Sequence, residues 1–193
     1  VDWLTREPPS EVDVCGEMVP IRSGWRHAVR SYSASGQAAV PALLASWFSV
    51  GSVIDQTASA HPDEAVTAAI SWRDAAFSEA MPYGNGGVSR AGGKPTFDLL
   101  ADSAIVSVDF WRIYRIDLRT AQMHWWLFAA LLSALMRTDG SLVMEAASAR
   151  SPIPRSIEGD ARRDAERRAE AWALPLPEPE LVRRRNERVR EEW

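Results

Sequence analysis

A mainly α-helical domain of about six helices is predicted, with a small N-terminal β-hairpin and a charged C-terminal helix. Three observations carry this expectation. Apolar residues recur at helical spacing along most of the chain. Strict alternation is confined to Glu11–Ile21. The last forty-odd residues are dense in charge of both signs. With 193 residues and 46% hydrophobic content, the chain can bury one sizeable core.

The alternation in EVDVCGEMVPI runs on both sides of Cys15-Gly16, where glycine supplies a turn. It predicts strands at Glu11–Val14 and Glu17–Ile21, with Pro20 restricting the second to an edge. In GWRHAVRSYS, Trp25, Val29 and Tyr32 mark a helix face. Pro41 suits the first turn of VPALLASWFS, where Leu43, Leu44, Trp47 and Phe48 share a side. Asp63 and Glu64 open a longer helix and complement its dipole; Ala65, Ala69, Trp72, Ala76 and Phe77 form its stripe.

Five glycines and two prolines in Met81–Thr96 predict a loop dividing two helical halves. FDLLADSAIVSVDFWRIY then resumes the helical pattern, with Ala101, Ala104, Ile105, Val108 and Trp111 as its apolar stripe. Thr120 is the expected N-cap of an aromatic helix running to about Arg137, where Asp139-Gly140 ends it. SLVMEAASAR predicts a short helix and SPIPR a connector. DARRDAERRAEAWAL predicts a charged helix with Ala161, Ala165, Ala169 and Trp172 on one side. PLPEPE breaks it before a last amphipathic segment, LVRRRNERVREEW. The resulting organisation is residues 1–22 (arm and hairpin), 23–80 (first helical half), 81–96 (Gly-rich loop), 97–174 (second helical half) and 175–193 (Pro-rich linker and charged tail helix).

Chemical motifs are sparse. Net charge is −4, and the charge divides as −5 over residues 1–149 and +1 over 150–193. No global field favours nucleic acid. The basic cluster RRRNERVR is diluted by Glu180, Glu187, Glu191 and Glu192, so binding of DNA through it is the least favoured function. The single cysteine, Cys15, permits no internal disulfide and predicts no cysteine-based metal site. His27, His61 and His124 sit in no HExxH and pair at no metal spacing. GVSRAGGKPT has one residue too many before Gly-Lys for a phosphate-binding loop, and Pro95 replaces the magnesium-binding hydroxyl. No G-x-S-x-G elbow occurs. The chain is expected to be no enzyme and to need no cofactor. The opening VDWLTREPPSEV lacks the pattern of a signal peptide, and Trp125–Leu132 is shorter than the roughly 20 residues that span a bilayer.

The aromatic segment QMHWWLFAALLSALM is apolar nearly all round, which predicts burial on most sides. Met123, Trp126, Leu127, Ala130, Leu131, Ala134 and Leu135 form the expected core face. Trp125, Phe128 and Leu132 form a second flank, which is either more core or a partner face.

DFWRIYRIDL followed by MHWWLFAALLSAL resembles the bacteriophage family named for gene product fifteen. Phe110, Tyr114, Ile116, Asp117 and Leu118 fit its first phrase. His124, Trp125, Trp126, Phe128, Leu131 and Leu132 fit its second, the rather specific His-Trp-Trp phrase. Leu4-Thr5, VDVCGEMVPI, TFDLLADSAIV and RRAEAWALP match the family's outline more loosely. Ser23-Gly24-Trp25-Arg26 departs from the family's Asp-Phe-Arg. Residues 33–96 match only in helical character, and the tail beyond Pro177 does not match.

The resemblance implies a protein of the phage tail module, similar to tail assembly chaperones. Its partner would be the apolar, helical tape-measure protein or another tail protein, with self-association possible and no membrane involved. Its place would be the host cytoplasm during assembly. The alternative is a structural component of the tail or neck, in the virion. The partner-binding candidates are Trp125 and Phe128 on the second flank, and Val182, Val189 and Trp193 in the terminal segment.

Overall fold

A computed structural model of the chain describes residues 7–32, 40–50, 53–80, 90–91 and 94–175. The terminal candidates Val182, Val189 and Trp193 lie outside the described residues, as does most of the expected glycine-rich loop.

The hairpin forms where alternation predicts it. β1 (Glu11–Val14) pairs antiparallel with β2 (Glu17–Pro20), Val14 opposite Glu17. Cys15 and Gly16 both have positive φ, 54° and 90°, as a two-residue hairpin turn with the right twist demands. The Asp13 carboxylate accepts the Gly16 N–H at 2.7 Å and fixes the turn. Val12, Val14, Val19 and Ile21 point into the core.

α1 (Trp25–Ser31) and α2 (Val40–Trp47) follow. All four expected core residues of the second helix, Leu43, Leu44, Trp47 and Phe48, are buried. The two-residue strands β3 (Ser49–Val50) and β4 (Val53–Ile54) make a small antiparallel ladder. α3 (Gln56–Ala60) is a single turn capped by Asp55, whose carboxylate accepts the N–H groups of Thr57 and Ala58. It is too short to print a period on the sequence. With it the described residues form eight helices, where six and a charged one were expected.

α4 (Pro62–Ala80) is the longest helix. Its buried Ala65, Ala69 and Ala76 let neighbouring backbones approach, while buried Trp72 donates its indole N–H to the Pro9 carbonyl at 2.8 Å. After the ladder β5 (Arg90–Ala91) and β6 (Lys94–Pro95) comes α5 (Ser103–Asp109), which continues as a π-helical turn, Phe110–Tyr114. Arg115, at φ 59°, stops it in the left-handed conformation.

α6 (Trp125–Leu135) is the aromatic helix. His124, not Thr120, is its N-cap: the imidazole Nδ1 accepts the Trp126 N–H at 3.1 Å. The start is set by a long-range tie. Gly24 and His124 form an antiparallel bridge, with the Trp125 N–H donating to Ser23 O at 2.6 Å and the Trp25 N–H to Met123 O at 3.1 Å. The guanidinium of Arg26 adds bonds to the carbonyls of Leu118, Arg119 and Ala121 at 2.7–2.8 Å. Thus α1 and α6 begin side by side and each satisfies one of the other's orphan N–H groups.

α7 (Leu142–Ala149) is capped by Ser141, and α8 (Gly159–Ala171) closes the described chain. α8 has no buried residue and carries the ion pairs Arg162–Glu166, Arg163–Asp160 and Arg167–Asp164, as its mixed charge predicts. No helix among the described residues is long and apolar enough to cross a membrane.

Candidate partner-binding surface

The second flank of α6 is core, one of the two readings its sequence left open, and the expected core face is buried only in part. Trp125, Phe128 and Leu132 are in the deepest part of the core, with Trp126, Ala129 and Leu135. Leu127 is 44% exposed, and Ala134 faces solvent. The reason is the set of rings that meet Phe128. Trp25 stacks on it at 4.9 Å between centroids, Phe110 at 5.1 Å and Trp125 at 5.5 Å. Phe77 meets Trp125 edge-on at 5.5 Å, and the Trp125 indole N–H donates to the Arg73 carbonyl at 2.8 Å. Three elements besides α6, namely α1, α4 and the π-helical turn after α5, thus close over this flank, with the polar edge of Trp125 satisfied. A partner reaches neither Trp125 nor Phe128 in the folded domain, so the assignment of these two as partner-binding residues is corrected to core.

α5 is inverted relative to its amphipathic pattern. The apolar stripe read from its sequence faces outward: Ala101, Ala104, Val108 and Trp111 are exposed, and Ile105 is half-buried. Val108 is 44% and Trp111 56% exposed, and Leu100, in the turn before the helix, is 41% exposed. The inward side carries Val106 and Phe110, and with them two carboxylates, Asp102 and Asp109.

Each buried carboxylate has a built partner. The Arg150 guanidinium grips Asp102 through two bonds, at 2.7 and 2.8 Å, and also donates to the Thr96 and Trp172 carbonyls. Asp102 in turn accepts the Asp98 N–H at 3.0 Å. Asp109 accepts the Ser141 hydroxyl at 2.8 Å and the Val143 N–H at 3.0 Å, with Arg112 at its outer edge, 3.4 Å away. These bonds offset the desolvation of both charges. They also lock α5 against α7 in the orientation that leaves Trp111 outside. The π-helical turn carries Phe110 inward onto Phe128 while Tyr114 donates its hydroxyl to the Leu131 carbonyl at 3.0 Å. Arg112 and Arg115 flank the exposed tryptophan in sequence and are themselves exposed.

Between α7 and α8 lies a cleft of about 660 Å³, open to solvent. Its apolar lining includes Met144, Ile153, Ile157, Ala165 and Trp172. That volume is within the range of small-ligand pockets, and its charged lining groups are Glu145 and Arg168.

Burial is the main cause of a shift at two histidines and two tyrosines, Tyr114 among them. Burial holds His27 below the usual imidazole range, helped by Arg22 and Arg30; burial does the same to His124, opposed by the Pro9 carbonyl. Burial pushes Tyr32 up to about 12, against the pull of Arg73, whose guanidinium lies 3.9 Å over its ring. At the tip of the hairpin, Cys15, His61 and Glu64 bring one ligand atom each within 4.8 Å of one another. In the sequence Cys15 is a lone cysteine, His61 stands at no metal spacing, and Glu64 reads only as an acidic residue opening a helix. No family model, curated protein or solved structure matches the chain.

Proposed function

We propose that the chain is a non-enzymatic phage tail assembly protein, a chaperone-like binder of the tape-measure protein that acts in the host cytoplasm. The observation that carries this reading is the inverted helix α5: a tryptophan and its apolar neighbours lie in water while two carboxylates are held inside. An exposed large apolar residue over a buried charged network is the informative reversal of ordinary burial. Trp111 also falls within the DFWRIYRIDL phrase on which the resemblance to the gene product fifteen family rests.

The chemistry suits the role. Keeping an apolar helix soluble takes an apolar surface that does not collapse into its own core. The Asp102–Arg150 and Asp109–Ser141 ties supply the rigid footing, and Leu100, Val108 and Trp111 supply the contact. A partner helix would lay its own apolar side along this ridge. The proposed contact residues therefore move from Trp125 and Phe128 to Trp111 and Val108.

Co-expression with the tape-measure protein of the same genome tests the reading. The partner should become soluble and co-purify, and Trp111→Ser with Val108→Ser should abolish capture while the melting temperature stays put. Loss of a central interface tryptophan costs at least about 2 kcal/mol of binding, roughly thirtyfold in affinity. An insoluble, unbound tape-measure protein sinks the chaperone reading. Recovery of the chain from purified virions at a fixed ratio would favour a structural tail component instead.

A further inference from the structure

We infer a binding site for a zinc-class divalent ion at the tip of the N-terminal hairpin, held by the Cys15 thiolate, the His61 imidazole and the Glu64 carboxylate. The inference is independent of the tail-assembly reading and goes beyond it.

Two separate pieces of backbone deliver the ligands. Cys15 occupies the first central position of the β1–β2 turn, where Asn or Gly is the favoured residue. His61 closes α3 and opens α4: its N–H donates to Thr57 O, and its carbonyl accepts the Ala65 N–H. Glu64 stands in the first turn of α4, three residues on. The two sides are pinned to each other beside the cluster, where the Thr57 hydroxyl donates to the Glu17 carboxylate at 2.7 Å. A cleft of about 310 Å³, lined by Cys15, Glu17, Gln56, Thr57 and His61, opens at this point.

The geometry fits the chemistry. The three ligand atoms lie within 4.8 Å of one another. Tetrahedral zinc, with metal–ligand distances of about 2.0–2.3 Å, sets its ligand atoms on the order of 3.5 Å apart. The gap of roughly one ångström is within the reach of side-chain rotation, since all three residues are exposed. Sulfur, nitrogen and oxygen together select a borderline ion such as Zn²⁺ over calcium or magnesium, which take oxygen alone. Thiolate and carboxylate balance the charge of a divalent ion, with the imidazole neutral. Three protein ligands leave the fourth position to water. Bound there, the ion joins the hairpin turn to the α3–α4 junction.

The test is a titration of the untagged full chain with Zn²⁺ by calorimetry and with Co²⁺ by absorption. One equivalent should bind, and cobalt should give a thiolate-to-metal charge-transfer band in the near ultraviolet. Cys15→Ser should remove that band, and Cys15→Ser, His61→Ala and Glu64→Gln should each weaken zinc binding by at least about tenfold. Because the three side chains are exposed, the variants should keep the wild-type circular dichroism, and His27→Gln should bind zinc as wild type does. Absence of stoichiometric binding, or binding unchanged in any of the three ligand variants, overturns the site.

Discussion

Replacing Asp102 by alanine removes the carboxylate that receives two charge-assisted bonds from Arg150. Asp102 is 5% and the Arg150 side chain 9% exposed, so water cannot take over. The guanidinium keeps only the carbonyls of Thr96 and Trp172, and the Asp98 N–H loses its acceptor as well. Breaking a buried pair by removing one partner typically costs about 3–5 kcal/mol, because the remaining charge is left uncompensated. That is a large share of the 5–15 kcal/mol or so that holds a typical domain folded. Urea unfolding followed by far-ultraviolet circular dichroism measures it as a fall in midpoint at constant slope. Arg150→Met alone should cost a comparable amount. The double variant Asp102→Ala, Arg150→Met should cost clearly less than the two single costs together, since no unpaired charge remains. A loss below about 1 kcal/mol for Asp102→Ala, the level of an exposed ion pair, would refute the claim that this pair anchors α5.

Three further outcomes are expected. Trp125→Ala and Phe128→Ala should each destabilise by about 3–5 kcal/mol, whereas Leu127→Ser on the same helix should stay within about 0.5 kcal/mol; thermal unfolding separates the two. Since His124 and His27 are both held below their ordinary value of 6.5 by burial, the unfolded chain takes up protons that the folded chain refuses as pH falls through that value. Stability should therefore be full above pH 6.5 and decline below it, and His124→Asn, which keeps a cap acceptor, should flatten part of the decline in urea midpoints measured from pH 7.5 to 5. Arg115→Gly should raise stability by roughly 0.5–1 kcal/mol, because relief of the left-handed conformation outweighs the entropy of glycine; a lower melting temperature would contradict this.

What the sequence made legible follows from local rules. Alternation around Cys15-Gly16 locates the hairpin to within a residue, and Pro41 with four large apolar residues locates α2 and its buried face. Alanines spaced along residues 65–76 do the same for α4. The orientation of α5 was not legible, because its inward side is chosen by Arg150 and Ser141, which stand 48 and 32 residues away from the carboxylates they satisfy. No local period records such partners. The sides of α6 were only partly legible for a related reason. A helix apolar all round gives no moment to orient it, and only the rings of Trp25, Phe77 and Phe110 decide. Its start was misplaced at Thr120 because the cap is set by the bridge to Gly24. Cys15, His61 and Glu64 meet through the packing of the hairpin on the helices, which spacing along the chain does not reveal.

The tie between Ser23–Trp25 and Met123–Trp125 has a consequence for how the molecule comes into being. Arg26 leaves the ribosome long before its acceptors, which lie 92–95 residues downstream. Until they arrive, Trp25 has no Phe128 to stack on, and the hairpin and first four helices have no lid. Closing so long a loop adds little to the thermodynamic cost, about 0.6 kcal/mol for each doubling of length, but non-local contacts slow the search for the native topology. The domain therefore matures in one late step, once the aromatic segment is free of the exit tunnel. A nascent chain halted before Leu118 should be protease-sensitive throughout, and one extended past α7 should turn resistant at a stroke.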